Sequence, residues 1–165
     1  NAIVFQELRE ARGLAYSASA VYASPYRLGG NESFYTYIIT QNDKMMDCVT
    51  EFNKLLNNLP VRQSGFDLAK QSLMKSLASQ RTTKYSILTS YLAAQRLGID
   101  YSLSEKIYNA LPSLQLQDVI NFEKEYIANK TFKYIILGNE KELDLKALEK
   151  IAPIKRVTTE EIFGY

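Results

Sequence analysis

The chain has 165 residues, 46% of them hydrophobic and 23% charged, an ordinary globular composition that argues against a disordered tract or a long coiled coil. Its 20 Lys and Arg balance 18 Asp and Glu to a net charge of +2 with no basic block or stripe, so neither nucleic acid nor an anionic membrane surface is an expected partner. No run approaches the ~20 apolar residues that cross a bilayer, and the length suits one domain over residues 1–165 with a core of its own.

The first residues place Ile3, Val4 and Leu8 at helical spacing, and Gly13 supplies a stop. From Leu14 the period changes to two. Leu14, Tyr16, Ala18, Ala20 and Tyr22 share one face of a strand; Ala15, Ser17, Ser19 and Val21 share the other. Ser24 to Asn31 reads as a loop, and the β-branched and aromatic run Phe34 to Gln41 as a second strand, antiparallel to the first.

Asn42 or Asp43 is expected to cap a helix with the stripe Met45, Val49, Phe52, Leu56 and Leu59, ended by Pro60. Ser64 with Asp67 opens another, with Phe66, Ala69, Leu73 and Leu77 on one face. A third runs from Lys84 to Leu97 and stops at Gly98. A short one spans Ser104 to Leu111 before Pro112. The next carries Asp118 in its first turn and is expected to bury Val119, Phe122 and Tyr126.

Phe132 to Leu137 reads as a central strand, Leu143 to Ile151 as a helix, and Lys155 to Val157 as a short final strand. Most of the 12 Tyr residues are expected in the core or in half-buried strands, and Cys48 as a small buried apolar residue. The expected fold is α/β (α+β): a mostly antiparallel sheet packed against helices. Four strands are few for this many helices, so further strands are expected upstream of Asn1.

Several chemistries drop out. The chain has no His, so it holds no Ser-His-Asp or Cys-His nucleophile and no imidazole base. One Cys and scattered carboxylates do not make a self-contained zinc site. Ser72-Leu-Met-Lys75 matches an S-x-x-K motif without its partner motifs, and lies between core positions of a helix. Gly29-Gly30 lacks the Lys and Ser/Thr of a phosphate loop. By physics alone, Arg9 belongs to a solvated helix end with Glu7, Glu10 and Arg12, and Tyr16 to a strand core.

The segment Phe5-Gln-Glu-Leu-Arg-Glu-Ala-Arg-Gly-Leu-Ala-Tyr-Ser-Ala-Ser-Ala20 adds something that composition does not. It resembles the signature of the second domain in each half of pitrilysin/insulinase-type zinc peptidases, a group that includes mitochondrial processing peptidase and insulin-degrading enzyme. Leu114 to Ala128 is similar to that family's helix before the penultimate strand, Phe132 to Gly138 to its hydrophobic strand ending in Gly, and Ile162 to Tyr165 to a family C-terminus.

The resemblance implies the metallohydrolase domain fold of mitochondrial processing peptidase. It also implies a place in the C-terminal half, closing a proteolytic chamber whose zinc sits on the N-terminal half or on a partner chain; no cofactor is expected in this chain itself. Arg9 and Tyr16 align with an arginine and a tyrosine, seven residues apart, that reach substrate near the metal. Ser17 and Ser19 would line the chamber behind them. Peptides are the implied substrates, and the isolated chain is expected to be inactive. The residues themselves do not indicate a compartment; the resemblance alone is compatible with a bacterial periplasmic or cell-envelope location. The alternative within the same family is a scaffold homologue without catalysis; a second copy of the chain is a further candidate partner, through an exposed sheet edge.

Overall fold

A computed structural model describes residue 3 and residues 6–165. The expected leading helix falls partly outside them: Ala2, Val4 and Phe5 are not described, while Ile3 is helical and Gln6–Glu10 forms a π-helical turn. At its end Gly13 adopts φ +61°, and its N–H donates to the Arg9 carbonyl at 3.0 Å while Leu14 N–H donates to the Leu8 carbonyl at 2.8 Å. This left-handed glycine closes the helical end and turns the chain into the sheet.

Strands β1 (Ser17–Ala23) and β2 (Ser33–Ile39) pair antiparallel, from Ser17 opposite Ile39 to Ala23 opposite Ser33. Alternation puts Ala18, Ala20, Phe34 and Ile38 on the side of the core. Helix α1 (Met45–Asn57) covers that side with Phe52, Leu55 and Leu56, and Leu8 and Ala15 complete the cluster. Leu8 is 1% exposed. The small side chains Ala15 and Ala18 let the helical turn and α1 close over the hairpin.

The stripe of α1 differs in detail from the expected one. Met45, Cys48, Phe52, Leu55 and Leu56 are buried, whereas Val49 and Leu59 are half-buried. Neither Asn42 nor Asp43 caps the helix, because residues Asn42–Lys44 form a 3-10 turn before it and the Asn42 amide donates instead to Glu142 Oε2 at 2.5 Å.

Helix α2 (Gln63–Ala78) lacks the Ser64 cap and buries none of its residues; Lys70 Nζ donates to the carbonyls of Pro112 and Leu114 at 2.8 and 2.9 Å. Helix α3 (Lys84–Leu97) has the expected bounds, set by a reciprocal Thr83–Ser86 capping box and by Gly98 at φ +66°. It too buries none of its residues, and Tyr85, Ile87, Leu88 and Tyr91 stay exposed. Helix α4 (Leu103–Ala110) is capped by Ser102 and passes into a 3-10 turn at Leu111–Ser113 that carries Pro112.

Helix α5 (Leu116–Tyr126) presents a neighbouring stripe to the interior. Val119 is half-buried, while Phe122 and Tyr126 are exposed; Phe122 meets Tyr22 edge to face at a centroid distance of 5.0 Å and Tyr126 at a tilt at 4.9 Å. Glu123 is buried instead, and among the described residues its Oε1 has no hydrogen-bond partner. An unpaired buried acceptor costs about 1–3 kcal/mol. Glu123→Met, which keeps the length and removes the polar atoms, is therefore expected to raise the urea midpoint at constant m-value; an unchanged or lower midpoint would show that the carboxylate is satisfied in solution.

The largest departure is in the sheet, where four strands were expected and the described residues pair in two. Among the described residues Phe132 to Leu137 pairs with no other segment, and Lys155 to Val157 forms no strand. Extended residues become a strand only when a neighbour accepts their backbone hydrogen bonds, and no described segment does so here. The expected helix at Leu143–Ile151 shortens to α6 (Leu145–Glu149), capped by Asp144, and an unexpected α7 (Thr159–Phe163) forms behind a Thr158–Glu161 capping box. The fold is thus mixed helix and antiparallel sheet, with much less sheet than its sequence calls for.

Candidate functional site

The corner between the N-terminal helical turn and β1 is built from local chemistry. The Leu14 carbonyl is held twice, by Thr40 Oγ1 at 2.6 Å and by Cys48 Sγ at 3.2 Å, and Tyr16 N–H donates to the Ile39 carbonyl at 2.8 Å. Arg12 reaches Glu51 of α1 at 2.8 Å, and Lys54 reaches the same carboxylate at 2.6 Å. These contacts fix the backbone on both sides of Gly13, from Arg9 to Tyr16.

Arg9 lies exposed on the last turn of the helical segment. Tyr16 is 63% exposed, one residue ahead of β1, so it is not the strand-core residue that its alternation suggests. The pairing ladder ends beside it, and among the described residues no helix covers its ring. The Tyr16 hydroxyl accepts from Gln41 Nε2 at 2.9 Å. An amide nitrogen can only donate, so the phenol keeps its own proton to offer to another acceptor. Gln41 also lines an open groove of about 780 Å³ with Thr40, Asn42, Asp43 and Glu142.

Ser17 and Ser19 are half-buried on the sheet face turned away from the core, opposite Ile39 and Tyr37. Among the described residues no side-chain hydrogen bond joins Tyr16 to Ser17, Ser19 or Arg9: Arg9 and Tyr16 stand on either side of the Gly13 turn, and the two serines lie on the open sheet face. Tyr35, Tyr37 and Ile39 leave that face aromatic, apolar and open. Gln41 is the residue that sequence reading missed. It closes the expected Phe34–Gln41 strand, and only the antiparallel register brings it to Tyr16.

The donor set does not suit zinc. There is no His, Cys48 is buried with its thiol donating to a carbonyl, and the described residues hold no group of three or more Cys, Asp or Glu placed around a common point. Burial pushes the Cys48 thiol pKa up, which further disfavours the thiolate that a metal would need. Among the described residues no helix is long and apolar enough to cross a membrane.

The corner carries a pH dependence. Hydrogen bonding from Lys54 and the nearby Arg12 charge hold the Glu51 carboxyl below its usual value of 4.5. A depressed carboxylate contributes stability that is present above its unfolded value and lost as pH falls through the folded one. As pH falls below 4.5 toward the lowered folded value the Arg12–Glu51 tie is therefore expected to loosen in the wild type, and Glu51→Gln is expected to flatten that part of the stability–pH curve. Superimposable curves for the two chains would refute it.

Comparison with known protein families, with curated proteins and with solved structures finds no match.

Proposed function

We propose that this chain is the substrate-side, zinc-less domain of a zinc endopeptidase of the pitrilysin/insulinase type, and that Arg9 and Tyr16 donate to the carbonyl oxygen of a bound peptide. One observation carries the reading beyond the sequence resemblance: the exposed Tyr16 phenol accepts from Gln41 and so keeps its proton for a substrate acceptor. The Gly13 turn, closed by Gly13 N–H to the Arg9 carbonyl at 3.0 Å, supports a common orientation of the two side chains.

In this reading the zinc belongs to another half or chain, where it supplies the metal chemistry of hydrolysis. This chain contributes binding and charge stabilisation. A guanidinium and a neutral phenol are donors at neutral pH, and donors aimed at a developing oxyanion act most strongly where water is excluded. The open face of Ser17, Ser19, Tyr37 and Ile39 would form an adjoining chamber wall that accepts apolar peptide side chains. The unpaired Phe132–Leu137 segment is compatible with the larger antiparallel sheet of the metallohydrolase fold.

The test is peptide hydrolysis by the assembly of this chain with its zinc-bearing half, comparing wild type with Arg9→Ala and Tyr16→Phe. Reduced kcat at constant zinc content supports the assignment; unchanged kinetics in both variants overturns it.

A further inference from the structure

Three aromatic rings gather outside the core at the far end of the hairpin. Tyr22 is on the core-facing side of β1, in line with Ala18 and Ala20, and Phe122 of α5 meets it edge to face at 5.0 Å. Tyr126, one turn further along α5, lies 4.9 Å from Phe122 at an angle of 34°. Tyr22, Phe122 and Tyr126 are 37%, 37% and 50% exposed, so the cluster leaves aromatic surface open to water. Tyr22 stands six residues beyond Tyr16 along the extended chain, about 20 Å at ~3.3 Å per residue. The cluster is therefore separate from the Gly13 corner.

Two carboxylates border it. Glu32 accepts from the Tyr22 hydroxyl at 2.5 Å. Both phenols are held above their usual pKa of 10.0: Tyr22 first by that hydrogen bond, and Tyr126 first by one to Glu125, with the Glu32 charge reaching Tyr126 as well. Each phenol thus stays a neutral donor at pH 7, and a carboxylate that accepts one such bond has lone pairs left for others. Among the described residues neither Glu32 nor Glu125 is in an ion pair. Arg27 of the β1–β2 loop lies over the Tyr26 ring instead, 5.6 Å from its centroid.

A cation is what this surface lacks. Ring faces are electron-rich and attract a positive group within about 6 Å of the centroid, and the two carboxylates add to the same field. We propose that the patch binds the guanidinium of an arginine on a peptide partner, laid on the exposed surface of Phe122 and Tyr126 with Glu32 as its carboxylate. The ring packing selects among cations. Centroids 5.0 and 4.9 Å apart leave no room between the rings for a compact ammonium to enter. A planar guanidinium instead stacks on an outer face and offers a fork of N–H donors to a carboxylate alongside. Charge also selects a peptide over the free amino acid, because an arginine within a chain carries no α-carboxylate for Glu32 and Glu125 to repel. This binding does not rest on the proposed peptidase role.

The experiment is a two-dimensional NMR titration of the isotope-labelled 165-residue chain with a blocked peptide of alanines around one arginine, which has no other charge. Saturable shifts at the amides of Tyr22, Glu32, Phe122 and Tyr126 are expected, with weaker binding of the matching lysine peptide and none of the neutral citrulline peptide. Glu32→Gln keeps an acceptor for Tyr22, and Tyr126→Leu keeps an apolar side chain. Each is expected to weaken binding about 2- to 5-fold, and the same spectra show that each variant is folded. Shifts that are absent or centred elsewhere in the chain overturn the proposal. So does equal binding of the lysine or citrulline peptide, or unchanged affinity in either variant. Free arginine binding as tightly as the peptide would transfer the patch to the amino acid and overturn the peptide as its occupant.

Discussion

Leu8→Ala is expected to lower the unfolding free energy by about 2–5 kcal/mol. Leu8 is the most completely buried large side chain among the described residues, and it packs among Ala15, Ala18, Phe52, Leu55 and Leu56. The cost of such a truncation depends on whether neighbours can fill the space. Here two of them are alanines, whose side chains end at Cβ and cannot extend into the gap, and both are held by the corner and β1. The cavity therefore persists, and the loss should fall in the upper part of the range.

Small domains have only about 5–15 kcal/mol to lose, so this one change removes a large share of the total. Leu68→Ala on the exposed side of α2 is the control, with an expected change within about 0.5 kcal/mol. Urea titration of both variants measures the difference. A Leu8→Ala midpoint equal to that of Leu68→Ala would mean that the hairpin does not close on α1 as described.

What the sequence made legible was whatever its own neighbours decide. Helix α3 has the expected bounds because a Thr–Ser capping box and a left-handed glycine act within a few residues of the ends they set. The β1–β2 hairpin was legible because its alternation and its loop are local and its partners are consecutive. The turn at Gly13 was readable for the same reason.

The misses need information from a distance. Phe132 to Leu137 has a strand's composition, but pairing depends on a segment the local sequence does not name. In α5, Phe122 satisfies any apolar-stripe rule, yet its ring finds Tyr22 and Tyr126 outside the core, and the interior receives Glu123. A shift of one residue on a helix turns the face by about 100°, and periodicity cannot resolve it on an 11-residue helix. The candidate site divides in the same way. The spacing of Arg9 and Tyr16 could be read directly, whereas the exposure of Tyr16 and its bond to Gln41 follow from strand register alone.

Under the proposed function, Tyr16→Phe gives the second large effect, and it is catalytic. Removing one donor to a developing oxyanion costs about 2.7–4 kcal/mol of transition-state stabilisation, a fall of about 100- to 900-fold in kcat/KM at ~1.36 kcal/mol per decade. The fall should appear mainly in kcat, because the donor gains most from charge that exists only in the transition state. The folded chain should tolerate the change, since the ring is exposed and, among the described residues, the hydrogen bond lost is the one from Gln41.

Gln41→Ala separates donation from positioning. It leaves the phenol in place but unanchored, so its kcat should fall less than that of Tyr16→Phe. The double variant should fall no further than Tyr16→Phe alone, because Gln41 acts only through that hydroxyl. Tyr26→Phe, at an exposed tyrosine on the β1–β2 loop, is expected to leave turnover unchanged and excludes a general effect of losing a surface phenol. If Gln41→Ala slows turnover equally in the Tyr16→Phe background, the amide acts independently of the phenol. The corner would then be a substrate-binding rim in which the Tyr16 proton plays no part.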